Sequence, residues 1–147
     1  MKRKIAAILA ADVVGYSRLM GGNEVGTLQS LQAHQAELIE PEIARCLGRV
    51  VKLTGHGILV EFASVVNAVE AACAIQRGMP ARNADVPEDR RIEFRVGINL
   101  GDVIVQGDDL FGDGVNVAAR IEGVARPGGI AVSQSVREHI GNKLDLE

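Results

Sequence analysis

Residues 49–62 read Arg-Val-Val-Lys-Leu-Thr-Gly-His-Gly-Ile-Leu-Val-Glu-Phe, two short β-branched runs on either side of Thr-Gly-His-Gly. This pattern predicts a β-hairpin whose glycines are free to take the positive-φ positions of a tight turn. Lys52 is a charge inside an apolar run, and His56 stands at the predicted tip. On the hairpin alone a structural explanation is favoured, in which Lys52 snorkels from an edge strand and His56 is solvated. Both residues nevertheless suit a functional site.

The composition indicates one soluble domain with an aliphatic core. The chain has 147 residues, of which 47% are apolar and only 3% aromatic, with no Trp. A net charge of −3 gives no electrostatic case for binding nucleic acid or an acidic membrane surface. No stretch is long enough to span a bilayer. Cys46 and Cys73 lack metal or redox spacing, so thiols in a reducing cytosol, and a cytoplasmic location, are expected.

Asp12 is the first candidate site residue. Residues 5–14 are apolar almost without alternation, which predicts a central strand buried on both faces. Asp12 lies near the C-terminal end of that strand, where a carboxylate is costly unless it is paired or bound to a cation. An equally supported role is to cap the turn that follows at residues 15–17.

The remaining elements alternate between strands and helices. A long helix is expected at about 24–46, with a kink or break near Pro41 and an end at Gly48, after residues 18–22 close the first turn. The other predicted elements are a helix at 65–79, a polar loop at 80–91, a strand at 92–98, a turn at 99–102, a strand at 103–105, a polar loop at 107–114, a helix at 115–124, a strand at 130–132 and a last helix capped by Ser133.

This order predicts an α+β chain with the ferredoxin-like βαββαβ pattern, an antiparallel sheet with helices on one face. In that topology the third strand lies antiparallel beside the first. The hairpin tip at His56 should therefore come close to Asp12.

Four segments occur in an order that resembles one family. They are residues 11–17 (ADVVGYS), 51–57 (VKLTGHG), 95–101 (RVGINLG) and 109–120 (DLFGDGVNVAAR). Together they resemble the catalytic domain of class III nucleotidyl cyclases, the adenylate/guanylate cyclase family, over most of residues 1–147. Any one segment alone would be a weak signal. The resemblance implies the nucleotide cyclase version of the ferredoxin-like fold.

The resemblance also implies a role for each matching residue. Asp12 matches the first of two carboxylates that hold two metal ions, Mg²⁺ or Mn²⁺, at the phosphates. Lys52 and Asp109 match the pair that reads adenine, Lys donating to a ring nitrogen and Asp accepting from the exocyclic amine. Asn116 matches the residue that orients the ribose, and Arg120 the one that stabilises phosphate charge. Without the resemblance, the last two would read as an ordinary polar helix face.

Two departures from the family pattern stand out. The second metal carboxylate belongs at position 56, where this chain has His, and Mg²⁺ strongly prefers oxygen ligands. Losing about 3–4 kcal/mol of metal-dependent stabilisation would slow the reaction roughly 10²–10³-fold. The sequence also stops at residues 144–147 (LDLE), where family domains usually continue into a strand pair carrying a Lys that contacts the triphosphate.

Two functions of different classes follow from the resemblance. The first is an adenylate cyclase that makes cyclic AMP from ATP, weakened at the metal site. It would act as a homodimer or heterodimer, because in the family the metal carboxylates come from one subunit and the other site residues from its partner. The second is a non-catalytic nucleotide-binding or dimerisation module that regulates a competent partner. His56 and the short C-terminus favour the second, and the intact remainder of the site favours the first.

Overall fold

A computed structural model describes residues 2–141, which form one six-stranded sheet and six α-helices. The strands are β1 (Lys2–Val13), β2 (Arg49–Leu53), β3 (Gly57–Phe62), β4 (Phe94–Gln106), β5 (Asp109–Phe111) and β6 (Ile130–Val132). The helices are α1 (Tyr16–Gly22), α2 (Glu24–His34), α3 (Glu40–Arg45), α4 (Val65–Asn83), α5 (Asp113–Val124) and α6 (Gln134–Ile140). A π turn (Gln35–Ile39) joins α2 to α3, and a 3₁₀ turn (Glu88–Arg90) precedes β4.

The sheet has the predicted ferredoxin-like core. Its strand order is β2-β3-β1-β4-β5, and β1 pairs antiparallel with both β3 and β4. Strand β6 adds to the same edge of β4 as β5 and runs parallel to β4, the one parallel pairing among the described strands. The α+β fold class is confirmed.

Helices cover both faces of the sheet, and the expectation of a single helical face is wrong. Ala7, Leu9 and Val13 of β1 pack with residues of α2, α3, α4 and α6 on what we call the back face. Ala6, Ile8 and Ala10 pack with Ala118 of α5 on the front face. Alternate β1 residues are apolar on both sides, so the strand requires cover on each of them.

Small residues of β4 allow α5 to lie close against the front face. A Cβ placed on Gly97 would lie 2.6 Å from the Cα of Glu122, and one placed on Gly101 would be 3.5 Å from the Cα of Gly114. Between these glycines, the buried Asn99 donates a 3.0 Å hydrogen bond to the carbonyl of Gly114. The inner side of α5 therefore packs directly on β4, the strand beside β1, and the polar outer side of the helix faces away from the sheet.

Strand β4 is continuous where a turn was predicted. Its pairing with β1 runs without a break from Val105 opposite Lys2 to Phe94 opposite Val13. The pairing overrides the turn preference of Asn99 and Gly101, because the neighbouring strand supplies hydrogen bonds along the whole length. The predicted loop at 107–114 likewise contains a strand, β5, and the N-terminus of α5.

The helical segments also differ in detail from the prediction. Residues 16–22 form α1 and not an extension of the first turn. The expected break near Pro41 is a π turn, which relaxes the helical hydrogen-bond pattern just before a residue that has no N–H. Helix α4 continues past its predicted end, through Pro80, to Asn83.

The helix before the hairpin ends on a residue that sequence reasoning missed. Leu47, not Gly48, takes the left-handed conformation, with φ of 62°. Gly48 is needed for space instead, because a Cβ there would lie 2.5 Å from the Phe62 ring. The Gly48 N–H donates to the carbonyl of Ile43 at 2.8 Å, which closes the helix end.

Cys46 and Cys73 are free thiols, as predicted. Cys73 lies within α4, whereas Cys46 caps the C-terminus of α3 in a turn and is not on a helix. No helix within residues 2–141 has the length and apolar character needed to cross a membrane. The prediction about residues 144–147 lies outside the described residues.

Candidate active site

The hairpin tip meets the end of β1, as the topology predicted. Asp12 pairs in register with Gly57, and the Val13 N–H donates to the carbonyl of His56 at 2.9 Å. The His56 Nε2 atom lies 3.8 Å from Asp12 Oδ1. Both side chains are partly open to solvent, at 50% and 36% exposure. The structure thus brings together two candidate residues that are far apart in sequence.

Local contacts fix the tip, but not in the predicted way. Neither Gly55 nor Gly57 has a positive φ among the described residues. A Cβ on Gly57 would instead lie 3.0 Å from the carbonyl oxygen of Ala11, so close packing explains this glycine. The Thr54 hydroxyl accepts the Gly57 N–H at 2.9 Å, and the Tyr16 ring packs 5.0 Å from the His56 ring. These contacts hold the imidazole toward Asp12.

The Asp12 carboxylate has one further contact that bears on its proposed role. Its Oδ1 accepts the N–H of Val13 at 3.0 Å, so Asp12 is oriented by its own strand and does not cap residues 15–17. The second carboxylate oxygen makes no hydrogen bond to the described residues.

Two charged residues near Asp12 were missed by sequence reasoning. Arg95 lies opposite Asp12 in the β1–β4 register and donates to the carbonyl of Ala125 at 2.9 Å. Burial and the charge of Asp12 raise the pKa of Glu122 on α5, and Arg95 and His56 oppose that rise. In the sequence, the position of Glu122 is indicated only indirectly, by Gly97. This glycine permits the close helix packing that brings Glu122 to the Asp12 end of the sheet.

Lys52 and Asp109 meet although they belong to strands at opposite ends of the sheet order. Lys52 Nζ lies 3.1 Å from Asp109 Oδ1, and it sits 5.6 Å from the centre of the Phe111 ring. Arg49 reinforces the junction by donating to the carbonyl of Asp108 at 2.9 Å. These contacts require the sheet to curl until β2 approaches β5.

In the Lys52–Asp109 pair, the pKa of Asp109 is set by hydrogen bonds more than by burial. The hydrogen bond from Lys52 lowers the pKa of Asp109, and the Leu110 N–H, which donates to Oδ1 at 2.8 Å, adds to the effect. Both side chains remain substantially exposed. The pair therefore presents a fixed donor and a fixed acceptor at an open surface.

Asn116 and Arg120 lie one turn apart on the outer side of α5. Ala118 between them is fully buried against the sheet, whereas both polar residues are exposed. Their side chains make no hydrogen bond or ion pair within residues 2–141. The structure therefore unites Asp12 with His56 and Lys52 with Asp109, and leaves Asn116 and Arg120 facing outward.

The residues present fit a divalent ion only in part. No group of three or more His, Cys, Asp or Glu side chains within the described chain is arranged to hold a metal. Asp12 can supply oxygen ligands, but its neighbour is an imidazole, which suits Mg²⁺ poorly and Mn²⁺ better. The donor set fits one weakly held ion completed by substrate oxygens, and does not fit a pair of Mg²⁺ ions.

Comparison with known proteins gives the family. The sequence model of the adenylate and guanylate cyclase catalytic domain matches residues 5–146. A protein of Rhizobium meliloti (strain 1021) named putative adenylate cyclase 3 is 55% identical over all 147 residues, which span 25% of that protein. An adenylate cyclase of Streptomyces coelicolor is 31% identical over 91% of this chain and 34% of its own length.

A solved structure agrees with the sequence matches. An adenylate/guanylate cyclase/hydrolase from Silicibacter pomeroyi superposes with a TM-score of 0.92 and 42% identity, covering 100% of this chain and 85% of that one. The chain spans only about a quarter to a third of the length of the two curated relatives. The matched range, the identities and the shared fold show that the chain belongs to the adenylate and guanylate cyclase catalytic domain family.

Proposed function

We propose that residues 1–147 form the catalytic domain of a cytoplasmic adenylate cyclase, which converts ATP to cyclic AMP and pyrophosphate. The observation that carries this proposal is the Lys52–Asp109 pair, held at 3.1 Å across two edges of the curled sheet. Within residues 2–141, both members of this pair are in contact, so a single chain can supply the donor and the acceptor together. A cytoplasmic location agrees with the two free thiols and with the supply of ATP.

Base selection follows from the hydrogen-bonding pattern of that pair. The Lys52 ammonium would donate to a ring nitrogen of adenine, and the Asp109 carboxylate would accept from the exocyclic amine. Guanine presents a carbonyl and a protonated ring nitrogen at these positions, so both protein groups would be mismatched. Without nucleotide the two groups satisfy each other, which keeps them aligned.

The reaction requires charge to be stabilised at the phosphates. The 3′-hydroxyl oxygen forms a bond to the α-phosphorus, the bond to the bridging oxygen breaks, pyrophosphate leaves, and the hydroxyl proton passes to solvent. A bound divalent ion would neutralise phosphate charge and ease loss of that proton. Asp12 would hold this ion, Asn116 would orient the ribose, and Arg120 would stabilise the developing charge.

A second copy of the chain is needed to complete this arrangement. Domains of this family bind nucleotide and function as dimers. Asn116 and Arg120 are exposed on α5, and neither side chain is engaged by another group in residues 2–141. In a head-to-tail dimer, the Asp12 end of one copy would face the Lys52–Asp109 pair and α5 of the other, giving two equivalent sites.

The alternative is a non-catalytic module that binds nucleotide and regulates a competent cyclase partner. The observation that favours it is His56, 3.8 Å from Asp12 at the position where a second carboxylate is expected. Such a module would retain ATP binding through Lys52 and Asp109 while lacking turnover of its own.

The test compares the parent chain with His56→Asp. Cyclic AMP and cyclic GMP are measured from ATP and GTP with Mg²⁺ and with Mn²⁺, while light scattering reports the dimer. We expect activity with ATP, more with Mn²⁺ than with Mg²⁺, and a gain of about ten-fold or more with Mg²⁺ in the variant. ATP affinity should change less than turnover, because the added carboxylate acts mainly on the transition state.

The outcomes separate the two functions. A dimer that binds ATP but stays inactive with either ion, in both sequences, would support the regulatory module and reject the cyclase. If His56→Asp leaves Mg²⁺-dependent activity unchanged in an active dimer, position 56 does not limit the reaction.

A further inference from the structure

A chain of charged contacts crosses the front face from β1 to the turn before β5. The buried Glu61 of β3 stands at its centre. Its Oε2 pairs with Lys4 Nζ at 2.5 Å, and its Oε1 accepts from Arg49 Nε at 3.0 Å and from Nη2 at 2.8 Å. The remaining arm of Arg49, Nη1, donates to the carbonyl of Asp108 at 2.9 Å. One guanidinium therefore ties β2, at one end of the sheet order, to the turn that leads into β5, at the other end.

An irregularity in β2 brings Arg49 and Lys52 to the same face of the sheet. In a regular strand, residues three apart point to opposite faces. Arg49 lies opposite Glu61 in the β2–β3 register. The register then shifts by one residue between Val50 and Lys52, which leaves Lys52 opposite Leu59, a member of the front-face cluster. The extra residue in β2 therefore turns Lys52 to the front face, where Arg49 already lies.

The two cations hold consecutive residues of the opposite edge. Lys52 Nζ contacts the side chain of Asp109 at 3.1 Å, and Arg49 holds the backbone of Asp108. Gly107 and Asp108 are exposed, so this turn has little packing of its own to fix it. The contact with Arg49 is therefore well placed to fix where β5 begins.

Arg49 is better suited than Lys52 to set a direction. An ammonium group on a flexible stem attracts a carboxylate without fixing its orientation. The guanidinium of Arg49 is planar, and Glu61 engages two of its nitrogens, so the third points in a defined direction at the Asp108 carbonyl. Glu61 is itself fixed from the other side by Lys4. The alignment of Asp109 therefore depends on a guanidinium that is anchored in the sheet.

We propose that Arg49 is a positioning residue for nucleobase selection, which holds the start of β5 so that Asp109 stays aligned with Lys52 at the spacing that adenine requires. Arg49 acts through Asp108 and Asp109 and not on the base, since all three of its side-chain nitrogens are engaged within the chain. The inference rests on the proposed adenylate cyclase function, in which Lys52 and Asp109 read the base.

Arg49→Lys tests the positioning without nucleotide. Lysine keeps the positive charge beside Glu61 but lacks the planar fork that also reaches Asp108. The variant should fold, because Lys4 still neutralises Glu61. In the parent chain the pKa of Asp109 is lowered first by the hydrogen bond from Lys52, and the charge of Arg49 adds to that lowering. If alignment is lost, an NMR titration should show the pKa of Asp109 rising toward its ordinary value, although the net charge is unchanged.

The matched control is Arg45→Lys. Arg45 is also an exposed arginine whose Nε donates to a carboxylate, that of Glu42, at 2.6 Å. It belongs to α3, which covers the back face, so the same substitution there leaves the front face intact. Arg45→Lys should leave the pKa of Asp109 unchanged.

The second measurement is the preference for ATP over GTP, from binding titrations of the dimer with Mn²⁺. Arg49→Lys should lower this preference about three- to five-fold, because the Lys52–Asp109 hydrogen bond survives while its alignment is loosened. A merely structural role would weaken ATP and GTP binding equally. In an Asp109→Ala background, Arg49→Lys should change the preference no further, because its effect is carried by Asp109.

Three results would overturn the role of Arg49. These are the same pKa of Asp109 in Arg49→Lys and Arg45→Lys, an unchanged preference for ATP in Arg49→Lys, or the same loss of preference with and without Asp109. If the parent chain prefers ATP and Asp109→Ala loses that preference while Arg49→Lys keeps it, the adenylate cyclase function stands and the role of Arg49 is rejected. A parent chain that binds ATP and GTP equally would reject the adenine assignment and the role of Arg49 together.

Discussion

The two faces of the sheet differ in what covers them. The back face is packed under α2, α3, α4 and α6, which bury a continuous set of aliphatic side chains, Phe62 and Phe94. The front face is covered by α5 and a smaller cluster, and it carries all six candidate site residues on or beside its open surface. The difference indicates that the back face holds the larger core, and that exposed front-face residues can change with little cost to folding.

Two carboxylates on the front face, Glu61 and Asp12, differ in how far their charge is already neutralised by the protein. Glu61 is buried and paired with Lys4 at 2.5 Å and Arg49 at 2.8 Å. Burial alone would raise the pKa of Glu61, but the hydrogen bonds from these two cations outweigh it and the pKa is lowered. Within residues 2–141, the one ionisable side chain paired with Asp12 is the His56 imidazole, at 3.8 Å. A carboxylate already neutralised by two cations is structural, whereas one left with free oxygen capacity is suited to bind a cation.

The largest effect is expected for Asp12→Asn. The amide can still accept the Val13 N–H, so the fold should be kept, but the negative charge for a divalent ion is lost. Cyclic AMP production should fall roughly 10²–10³-fold. The free energy of unfolding should change by less than about 1 kcal/mol. Initial rates with Mn²⁺ and urea denaturation measure the two quantities.

The matched control for this substitution is Asp102→Asn, at an exposed position of β4. It should leave both the rate and the stability near those of the parent chain. Equal losses of activity in the two variants would mean that Asp12 has no special role.

A smaller effect is expected at the base-reading pair. Asp109→Ala removes the acceptor for the adenine amine and the partner of Lys52, so the preference for ATP over GTP should fall about ten- to a hundred-fold. Binding titrations with both nucleotides measure the preference. The matched control is Asp108→Ala. It removes the exposed carboxylate of the neighbouring residue, which contacts Arg49 through its backbone carbonyl and not through its side chain. An unchanged preference in Asp109→Ala would remove the adenine assignment.

The sequence predicts much of the fold because its local patterns agree with the topology. The hairpin at 49–62 and the buried first strand are enough to place His56 beside Asp12, since antiparallel neighbours fix the register. The turn predicted at 99–102 was wrong for a physical reason. Strand pairing with β1 outweighs the local preference of Asn and Gly, and no single-strand pattern contains that information.

The site was predictable only where pairing or resemblance linked its residues. Lys52 and Asp109 were assigned through the family resemblance, because their contact depends on the curl of the whole sheet. Glu122 was missed, since its position near Asp12 results from close packing of α5 at Gly97. The roles of Asn116 and Arg120 remain predictions, because the partner groups they require lie outside one chain.

On the back face, a pH effect is expected on stability and not on base selection. His34 is buried, and its Nδ1 accepts from Arg82 Nε at 2.8 Å, while Arg82 also pairs with Glu37. Burial and the charge of Arg82 lower the pKa of His34, and Glu37 partly opposes this. The unfolded chain therefore binds this proton more readily than the folded chain. Stability is complete above the unfolded pKa of about 6.5 and declines as the pH falls toward the lowered value.

His34→Gln tests this expectation. Glutamine can still accept from Arg82 but does not titrate, so the fall in melting temperature between pH 7.5 and pH 5 should be smaller than in the parent chain. His139→Gln, an exposed histidine on α6, is the control and should keep the parent pH dependence. Identical pH profiles for His34→Gln and the parent would show that another group controls acid stability.

The smallest effect is expected at Leu47, whose φ of 62° strains a residue with a Cβ. Its side chain is 79% exposed, so little packing is lost when it is removed. Leu47→Gly should stabilise the fold by about 0.5–1 kcal/mol, raising the melting temperature by roughly 2–4 °C.

The control is Val25→Gly, which also deletes an exposed aliphatic side chain, 66% exposed, but from within α2. It should destabilise the fold by about 0.5–1 kcal/mol. If the free energy of unfolding rises in Leu47→Gly and falls in Val25→Gly, the gain comes from the left-handed backbone at position 47. If it falls equally in both variants, Leu47 stabilises the fold through its side chain. Because this helix end lies on the back face, ATP selectivity should be the same in both variants.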